Sequence, residues 1–272
     1  MEKEFKQSLI RRSFTGLGII IPFLALIYIA NIYVTTIVIA SIVLLSYTEW
    51  TKLSNSKSNI MDTVSIILFA VGCFYFELLF LKILIIAASL VWVLLSVFLL
   101  LNRLDYLKFM HFDSAVLKIL LITGFLSSLL SITQIENYNH LLLFIVIVNT
   151  ALVDIFAYII GSRYGKTHLL QNISPNKTLE GLFGGLLSSM AFIALLFIFI
   201  NLSSLMATII LISSIFAFVG DYSISYLKRR SSIKDTGNIL PGHGGILDRV
   251  DSHLSAATIF TFLYIFIKIS GI

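Results

Sequence analysis

Residues 140–161 read HLLLFIVIVNTALVDIFAYIIG and contain a single residue charged at neutral pH, Asp154. A helix needs about 20 mostly apolar residues to cross the roughly 30 Å hydrocarbon core of a bilayer. This stretch has the required length and composition. It therefore predicts a membrane-spanning helix.

Other apolar runs of similar length occur on both sides of this stretch. They are continuous and do not alternate with polar residues, which excludes the pattern of a membrane β-barrel. The sequence therefore predicts an all-α polytopic membrane bundle of about nine transmembrane helices. The candidate spans are roughly 13–30, 33–50, 61–80, 83–102, 115–134, 140–161, 182–201, 204–227 and 252–270.

The composition of the whole chain excludes most soluble classes. Of the 272 residues, 58% are hydrophobic and 12% are charged, whereas an average soluble domain is about 25% charged. Too few polar side chains remain to cover a water-soluble globule of this size. Cys73 is the only cysteine, which excludes an intrachain disulfide and a cysteine-based zinc site.

The distribution of basic residues indicates the orientation of the chain in the membrane. With the amino end in the cytoplasm and nine spans, 17 of the 19 Lys and Arg residues lie on the cytoplasmic side. Only Lys82 and Lys268 lie on the other side. Cytoplasmic loops of membrane proteins are enriched in these residues, so the net charge of +5 needs no nucleic-acid partner. The compact length and the lack of a targeting extension favour a bacterial plasma membrane.

Polar residues concentrate in the carboxyl-terminal half. Residues 161–181 and 227–252 are predicted loops on the cytoplasmic side, rich in glycine and cations. We expect one integral membrane domain, residues 1–272, in which residues 1–139 form amino-terminal helices. Residues 140–272 then form the catalytic helices and cytoplasmic loops.

Two carboxylates lie within apolar runs, Asp154 and Asp221. Ionisable residues at such positions are costly and indicate function. On a helix, Ser225 and Lys228 follow Asp221 on the same face. A polar face packed within the bundle is the alternative, and an ion-coupled transporter that binds ions at these carboxylates is another.

The densest polar segment is KRRSSIKDTGNILPGHGGILDRVDSH, residues 228–253. The pair Gly244 and Gly245 allows backbone to approach a phosphate closely. A helix that begins near Ile246 points its positive end to the same place and carries Asp248 and Asp251 on one face. Paired carboxylates beside these cations predict Mg²⁺ held between protein and polyphosphate.

The loop before the seventh span contains SPNKTLEG, residues 174–181. Lys177 is a further candidate phosphate contact in this loop. Thr178 and Glu180 are also typical of a helix amino-terminal cap.

Residues 225–251 resemble the signature of the phosphatidate cytidylyltransferases, also called CDP-diacylglycerol synthases. The loop around residues 161–181 resembles this family too, whereas residues 1–150 resemble it only in apolar character and in Glu49-Trp50. The matching signature positions are Ser225, Leu227, Lys228, Arg229, Lys234, Asp235, Gly237, Leu240, Pro241, His243, Gly244, Gly245, Ile246, Asp248, Arg249, Val250 and Asp251.

The resemblance implies that CTP and phosphatidate react to give CDP-diacylglycerol and diphosphate. It also implies that a divalent cation takes part in the reaction. Whether a second metal ion binds and whether the protein forms a homo-oligomer stay open at this point. We assign Mg²⁺ binding to Asp221, Asp248 and Asp251, and catalytic roles to these three with Lys228 and Arg229. The substrate-binding residues are then Ser225, Lys177, Lys234, His243, Gly244, Gly245, Arg249 and Asp154.

The predicted site is a polar cavity between the sixth, eighth and ninth spans that opens to the cytoplasm and sideways to the lipid. Residues 235–246 form a re-entrant cap over it. A CTP-dependent polyprenol kinase is the nearest alternative in chemistry, because it would transfer the γ-phosphate and release CDP.

Overall fold

The computed structural model describes residues 23–29, 31–53, 64, 66–67, 69, 78–101, 114–135, 140–169, 174, 177–240 and 244–270. These residues form an all-α bundle of membrane-spanning helices. Residues 23–29 form a short helical segment. The long helices are α1 Ile32–Leu53, α2 Leu78–Leu100, α3 Ala115–Ile135, α4 His140–Tyr164, α5 Leu179–Ile200, α6 Ser204–Arg230 and α7 Leu247–Ser270.

Within the described residues, seven helices are long and apolar enough to cross a membrane. The prediction of a polytopic helical membrane protein is confirmed, and these helices coincide with seven of the nine predicted spans. The predicted spans 13–30 and 61–80 lie largely outside the described residues. The last helix begins at Leu247, close to the predicted start near Ile246.

The α7 helix occupies the centre of the bundle and packs against α1, α2, α3, α4 and α6. The buried hydroxyl groups of Ser255, Thr258 and Thr261 donate to backbone carbonyls, which satisfies them without water. Ser255 Oγ donates to the carbonyl of Phe216 on α6 at 2.6 Å, and Thr261 Oγ1 donates within α7 to Ala257 at 2.8 Å. A polar helix can therefore lie inside this apolar bundle.

Glycines bring α4 and α5 into close contact. A Cβ atom at Gly181 would lie 2.7 Å from the carbonyl oxygen of Ala157, and one at Gly185 would lie 2.9 Å from that of Val153. Small residues allow two helix backbones to approach in this way in membranes. This contact fixes the α4–α5 loop at one end of the bundle.

A similar contact joins α6 to α7. A Cβ atom at Gly220 would overlap the carbonyl oxygen of Asp251 and the hydroxyl of Ser255. The glycine therefore places its neighbour Asp221 beside the first turns of α7.

We expect Gly185→Ala to destabilise the protein, although alanine favours a helix more than glycine does. The new Cβ atom would lie 2.9 Å from both Val153 O and Phe218 Cζ, and overpacking of this kind typically costs about 1–3 kcal/mol. Thermal unfolding in detergent measures the effect. Leu187→Ala on the exposed face of α5 is the control. An unfolding temperature of Gly185→Ala at or above that of wild type would contradict the close contact at Gly185.

Candidate active site

Six segments meet at the end of the bundle where α6 finishes and α7 begins. The last turns of α6, the α6–α7 loop (231–246) and the first turns of α7 form its frame. Asp154 comes from α4, and Lys177 comes from the α4–α5 loop. The sixth contribution comes from Glu49, close to the end of α1.

The Asp248 carboxylate is bound on both oxygens. Lys228 Nζ lies 2.8 Å from Asp248 Oδ1 as an ion pair. Asp248 Oδ2 accepts from the backbone nitrogens of Thr236 at 2.8 Å and Gly245 at 3.0 Å. It also lies 3.0 Å from Thr236 Oγ1. This side chain therefore joins α6, the α6–α7 loop and α7.

The Asp221 carboxylate forms a second ion pair. Lys177 Nζ lies 2.7 Å from Asp221 Oδ1 and donates to Ser225 Oγ at 3.2 Å. The same ammonium group lies 4.3 Å from the centre of the Tyr222 ring, over its face, an arrangement that attracts cations. Lys177 thus connects the α4–α5 loop to one face of α6.

Two further carboxyl groups, those of Asp154 and Asp251, lie near these ion pairs. Ser252 Oγ donates to Asp154 Oδ1 at 2.9 Å, which links α7 to α4. Asp251 is 6% exposed and lies within electrostatic range of Asp221, Lys228 and Asp154. Carboxyl groups from three helices therefore lie near the two lysines.

Local contacts hold the α4–α5 loop that carries Lys177. His168 and Thr178 form an antiparallel bridge, and the Glu180 carboxylate accepts from the backbone nitrogens of Lys166 at 3.1 Å and Thr167 at 3.2 Å. Thr178 Oγ1 accepts from Gly181 N at 3.2 Å, which confirms that Thr178 caps α5. These contacts position the loop backbone on both sides of Lys177.

Gly244 and Gly245 allow close packing within the α6–α7 loop and against Glu49. Gly244 has φ 82°, a left-handed conformation that favours glycine. A Cβ atom on it would lie 2.9 Å from Asp248 Oδ2. At Gly245 the added atom would overlap Thr236 Oγ1 and the Glu49 carboxylate. The candidate residue His243 lies outside the described residues.

The remaining predicted cations lie on the exposed surface around the ion pairs. Arg229 is on the last turn of α6, Lys234 is on the α6–α7 loop, and Arg249 is on the first turn of α7. Together with Lys228 they give this end of the bundle a positive rim around buried carboxylates.

The donor chemistry fits magnesium, because carboxylate oxygens are hard ligands. In this structure, a lysine ammonium group pairs with one oxygen of Asp221, and another lysine pairs with one oxygen of Asp248. Among the described residues, no three His, Cys, Asp or Glu side chains form a ready-made metal site. The convergence of Asp221, Asp248 and Asp251 on one ion stays a prediction.

Two residues that contribute to the site were not predicted from the sequence, Glu49 and Thr236. Glu49 reaches the α6–α7 loop from α1, and Thr236 lies between Glu49 and Asp248. The sequence feature that could have indicated Glu49 is its position as a carboxylate at the end of an apolar run. Its partner is far away in sequence, so the signal did not identify the contact.

The amino-acid sequence is similar to those of known proteins. The model of the cytidylyltransferase family matches residues 10–267. A Staphylococcus epidermidis protein named phosphatidate cytidylyltransferase is 40% identical over 136 residues, 49% of this chain and 52% of that protein. Proteins of the same name from Aquifex aeolicus and Bacillus subtilis are 41% and 38% identical over 139 and 137 residues.

The Aquifex alignment covers 50% of this chain and 51% of that protein, and the Bacillus alignment covers 49% and 51%. The chain thus spans about half the length of the curated relatives it matches. The family match, by contrast, covers most of the chain and includes every described residue of the site. This chain belongs to the cytidylyltransferase family.

Proposed function

We propose that the protein is a phosphatidate cytidylyltransferase that converts CTP and phosphatidate into CDP-diacylglycerol and diphosphate. The observation that carries the proposal is the pair of ion pairs, Lys177 with Asp221 and Lys228 with Asp248. Exposed Arg229 and Arg249 are the sequence neighbours of the second pair. The names of the bacterial relatives support the same activity.

The proposed reaction needs no nucleophile from the protein. A phosphate oxygen of the lipid attacks the α-phosphorus of CTP. The new O–P bond forms as the bond between the α-phosphorus and its bridging oxygen to the β-phosphorus breaks, and diphosphate leaves with that electron pair. Both substrates are anionic, so cationic groups must neutralise them before attack. In this proposal, Lys177, Lys228, Arg229, Lys234 and Arg249 supply that charge.

Magnesium belongs to this proposal as the partner of the carboxylates. Asp221, Asp248 and Asp251 would hold it, and the cation would offset the charge of the polyphosphate oxygens. Ser225, Gly244, Gly245, His243 and Asp154 would line the substrate site. The lysines can then exchange their carboxylate contacts for phosphate contacts when the nucleotide enters, so the ion pairs keep them close to the reacting groups.

We also propose that nine spans cross a bacterial plasma membrane with the amino end and the site in the cytoplasm. Residues 140–272 would carry the catalysis. Phosphatidate stays in the bilayer because each buried CH₂ contributes about 0.8 kcal/mol. CTP stays in water. A lateral opening at headgroup depth, between α4, α6 and α7, would allow both to reach the site.

The two alternatives make different products. A polyprenol kinase releases CDP, and an ion-coupled transporter releases neither CDP nor diphosphate. Purified protein should release diphosphate only when both CTP and phosphatidate are present. Release of CDP, or no reaction with phosphatidate, would contradict the proposed activity.

We expect Asp248→Asn to lower kcat/KM at least 100-fold, about 2.7 kcal/mol of transition-state stabilisation. The substitution keeps the shape of the side chain but removes the charge that pairs with Lys228. Diphosphate release measures the loss, and thermal unfolding reports whether the fold is kept. Folded protein with near-normal activity would exclude Asp248 from the catalytic site.

We expect Lys228→Ala and Arg229→Ala to raise KM or lower kcat at least tenfold, about 1.4 kcal/mol. Each removes one of the cations proposed to bind phosphate. Arg230→Ala is the matched control on the same exposed helix end and should stay within twofold of wild type. If Lys228 and Arg229 variants kept wild-type kinetics, the basic cluster would serve only to orient the protein in the membrane.

The orientation is tested with single cysteines in a Cys73→Ala background. Asn238→Cys in the α6–α7 loop and Ser204→Cys at the start of α6 introduce thiols at exposed positions near opposite ends of α6. A membrane-impermeant maleimide should label Asn238→Cys only in inside-out vesicles and Ser204→Cys only in right-side-out vesicles. The reverse pattern would contradict a cytoplasmic site.

A further inference from the structure

The amino-terminal part of the chain places one carboxylate in the site, that of Glu49. This side chain closes α1 and is 1% exposed. Glu49 Oε2 accepts from the backbone nitrogen of Leu247 at 2.8 Å and lies 3.0 Å from Thr236 Oγ1. Glu49 therefore binds the first backbone N–H of α7 and the α6–α7 loop at once.

Thr236 connects Glu49 to Asp248. Its hydroxyl lies 3.0 Å from Glu49 Oε2 and 3.0 Å from Asp248 Oδ2. A hydroxyl group has one proton, so it donates to one of these carboxylates at a time. The Thr236 backbone nitrogen stays on Asp248 Oδ2 at 2.8 Å. The orientation of Asp248 is thereby coupled to Glu49 through a single side chain.

The loop is shaped around the Glu49 carboxylate. A Cβ atom at Gly237 would overlap Glu49 Oε1, and one at Gly245 would overlap Glu49 Oε2. The α1 helix holds the loop at a second point, because Ser231 Oγ donates to the carbonyl of Leu53. The end of α1 and the α6–α7 loop thus form one packed unit.

A purely space-filling role does not require a carboxylate at this position. Among the described residues, Glu49 Oε1 is buried and has no hydrogen-bond partner. A buried polar oxygen without a partner destabilises a fold, and an apolar side chain of similar volume would avoid that cost. An apolar side chain, however, could not accept the hydrogen bonds that Glu49 Oε2 accepts from Leu247 N and Thr236 Oγ1.

We propose that Glu49 is a positioning residue. Through Thr236 and the first turn of α7, it holds the Asp248 carboxylate in the orientation that faces Lys228 and the incoming polyphosphate. The kinetic part of this inference depends on the proposed cytidylyl transfer, whereas the geometric part does not.

The test compares two substitutions of one side chain. Glu49→Gln keeps a hydrogen-bond acceptor for Leu247 N, and Glu49→Leu keeps similar volume without an acceptor. Hydrogen exchange should accelerate at least tenfold in segment 236–247 of Glu49→Leu and stay within threefold of wild type in Glu49→Gln. Ser46→Ala is the control, because its buried hydroxyl bonds within α1 to Ile42 O at 2.8 Å.

Kinetics supply the second measurement. Glu49→Leu should lower kcat at least tenfold with the KM for CTP within threefold, and Glu49→Gln should recover most of kcat. Thr236→Val should show the same kcat loss, and the double variant with Glu49→Leu should be no more than threefold worse than either single variant. Independent roles would multiply the losses to about 100-fold instead.

The inference fails if segment 236–247 exchanges alike in Glu49→Leu and wild type. It also fails if Glu49→Gln is as impaired as Glu49→Leu, or if Glu49→Leu raises the KM for CTP and leaves kcat unchanged. If Glu49→Leu does not fold, hydrogen exchange in segment 236–247 and kcat are compared between Thr236→Val and Ser46→Ala. Equal values in these two variants would then contradict the inference. Wild-type protein without cytidylyl transfer would overturn the proposed function, and the exchange measurement would still decide the role of Glu49.

Discussion

The ion pair between Lys228 and Asp248, 2.8 Å long, is the interaction on which the geometry of the site depends. It joins the last turns of α6 to the first turn of α7. The second oxygen of the same carboxylate binds the α6–α7 loop through two backbone nitrogens. Hydrogen bonds that involve a charged group are stronger than neutral ones, so this one side chain holds three segments together.

The membrane sets the conditions for this arrangement. Backbone outside a helix is tolerated at membrane depth only where protein or water covers it. Here Thr236 of the loop bonds to Glu49 at the end of α1 and to Asp248 on α7, and glycines at 237, 244 and 245 leave space for the carboxylates. The close contact at Gly185 brings α4 and α5 together, and the contact at Gly220 brings α6 and α7 together. Packing in the bundle thus places acidic groups beside the basic rim.

The sequence predicted the helices well because membrane spans depend on local composition. The apolar run at 140–161 lies within α4, and the start of α7 near Ile246 followed from the polar pattern around Asp248. Thr178 was also anticipated as a cap, since capping involves residues three positions apart. These features depend on neighbours in sequence.

The contacts of the site were harder to predict because their partners are far apart along the chain. The bond between Glu49 and Leu247 spans 198 residues, and nothing in the local pattern of α1 indicates it. Similarly, Asp154 was noticed as an intramembrane carboxylate, but its bond to Ser252 depends on the packing of α4 on α7. The pairing of each lysine with its aspartate also became visible only in three dimensions.

The central claim is that the cytidylyl group, and not the γ-phosphate, passes to the lipid. It is tested most directly with purified protein, phosphatidate and two preparations of CTP, one labelled at the α-phosphate and one at the γ-phosphate. The account predicts that the α-label appears in the lipid fraction and the γ-label in diphosphate. The γ-label in the lipid, or neither label transferred, would contradict it.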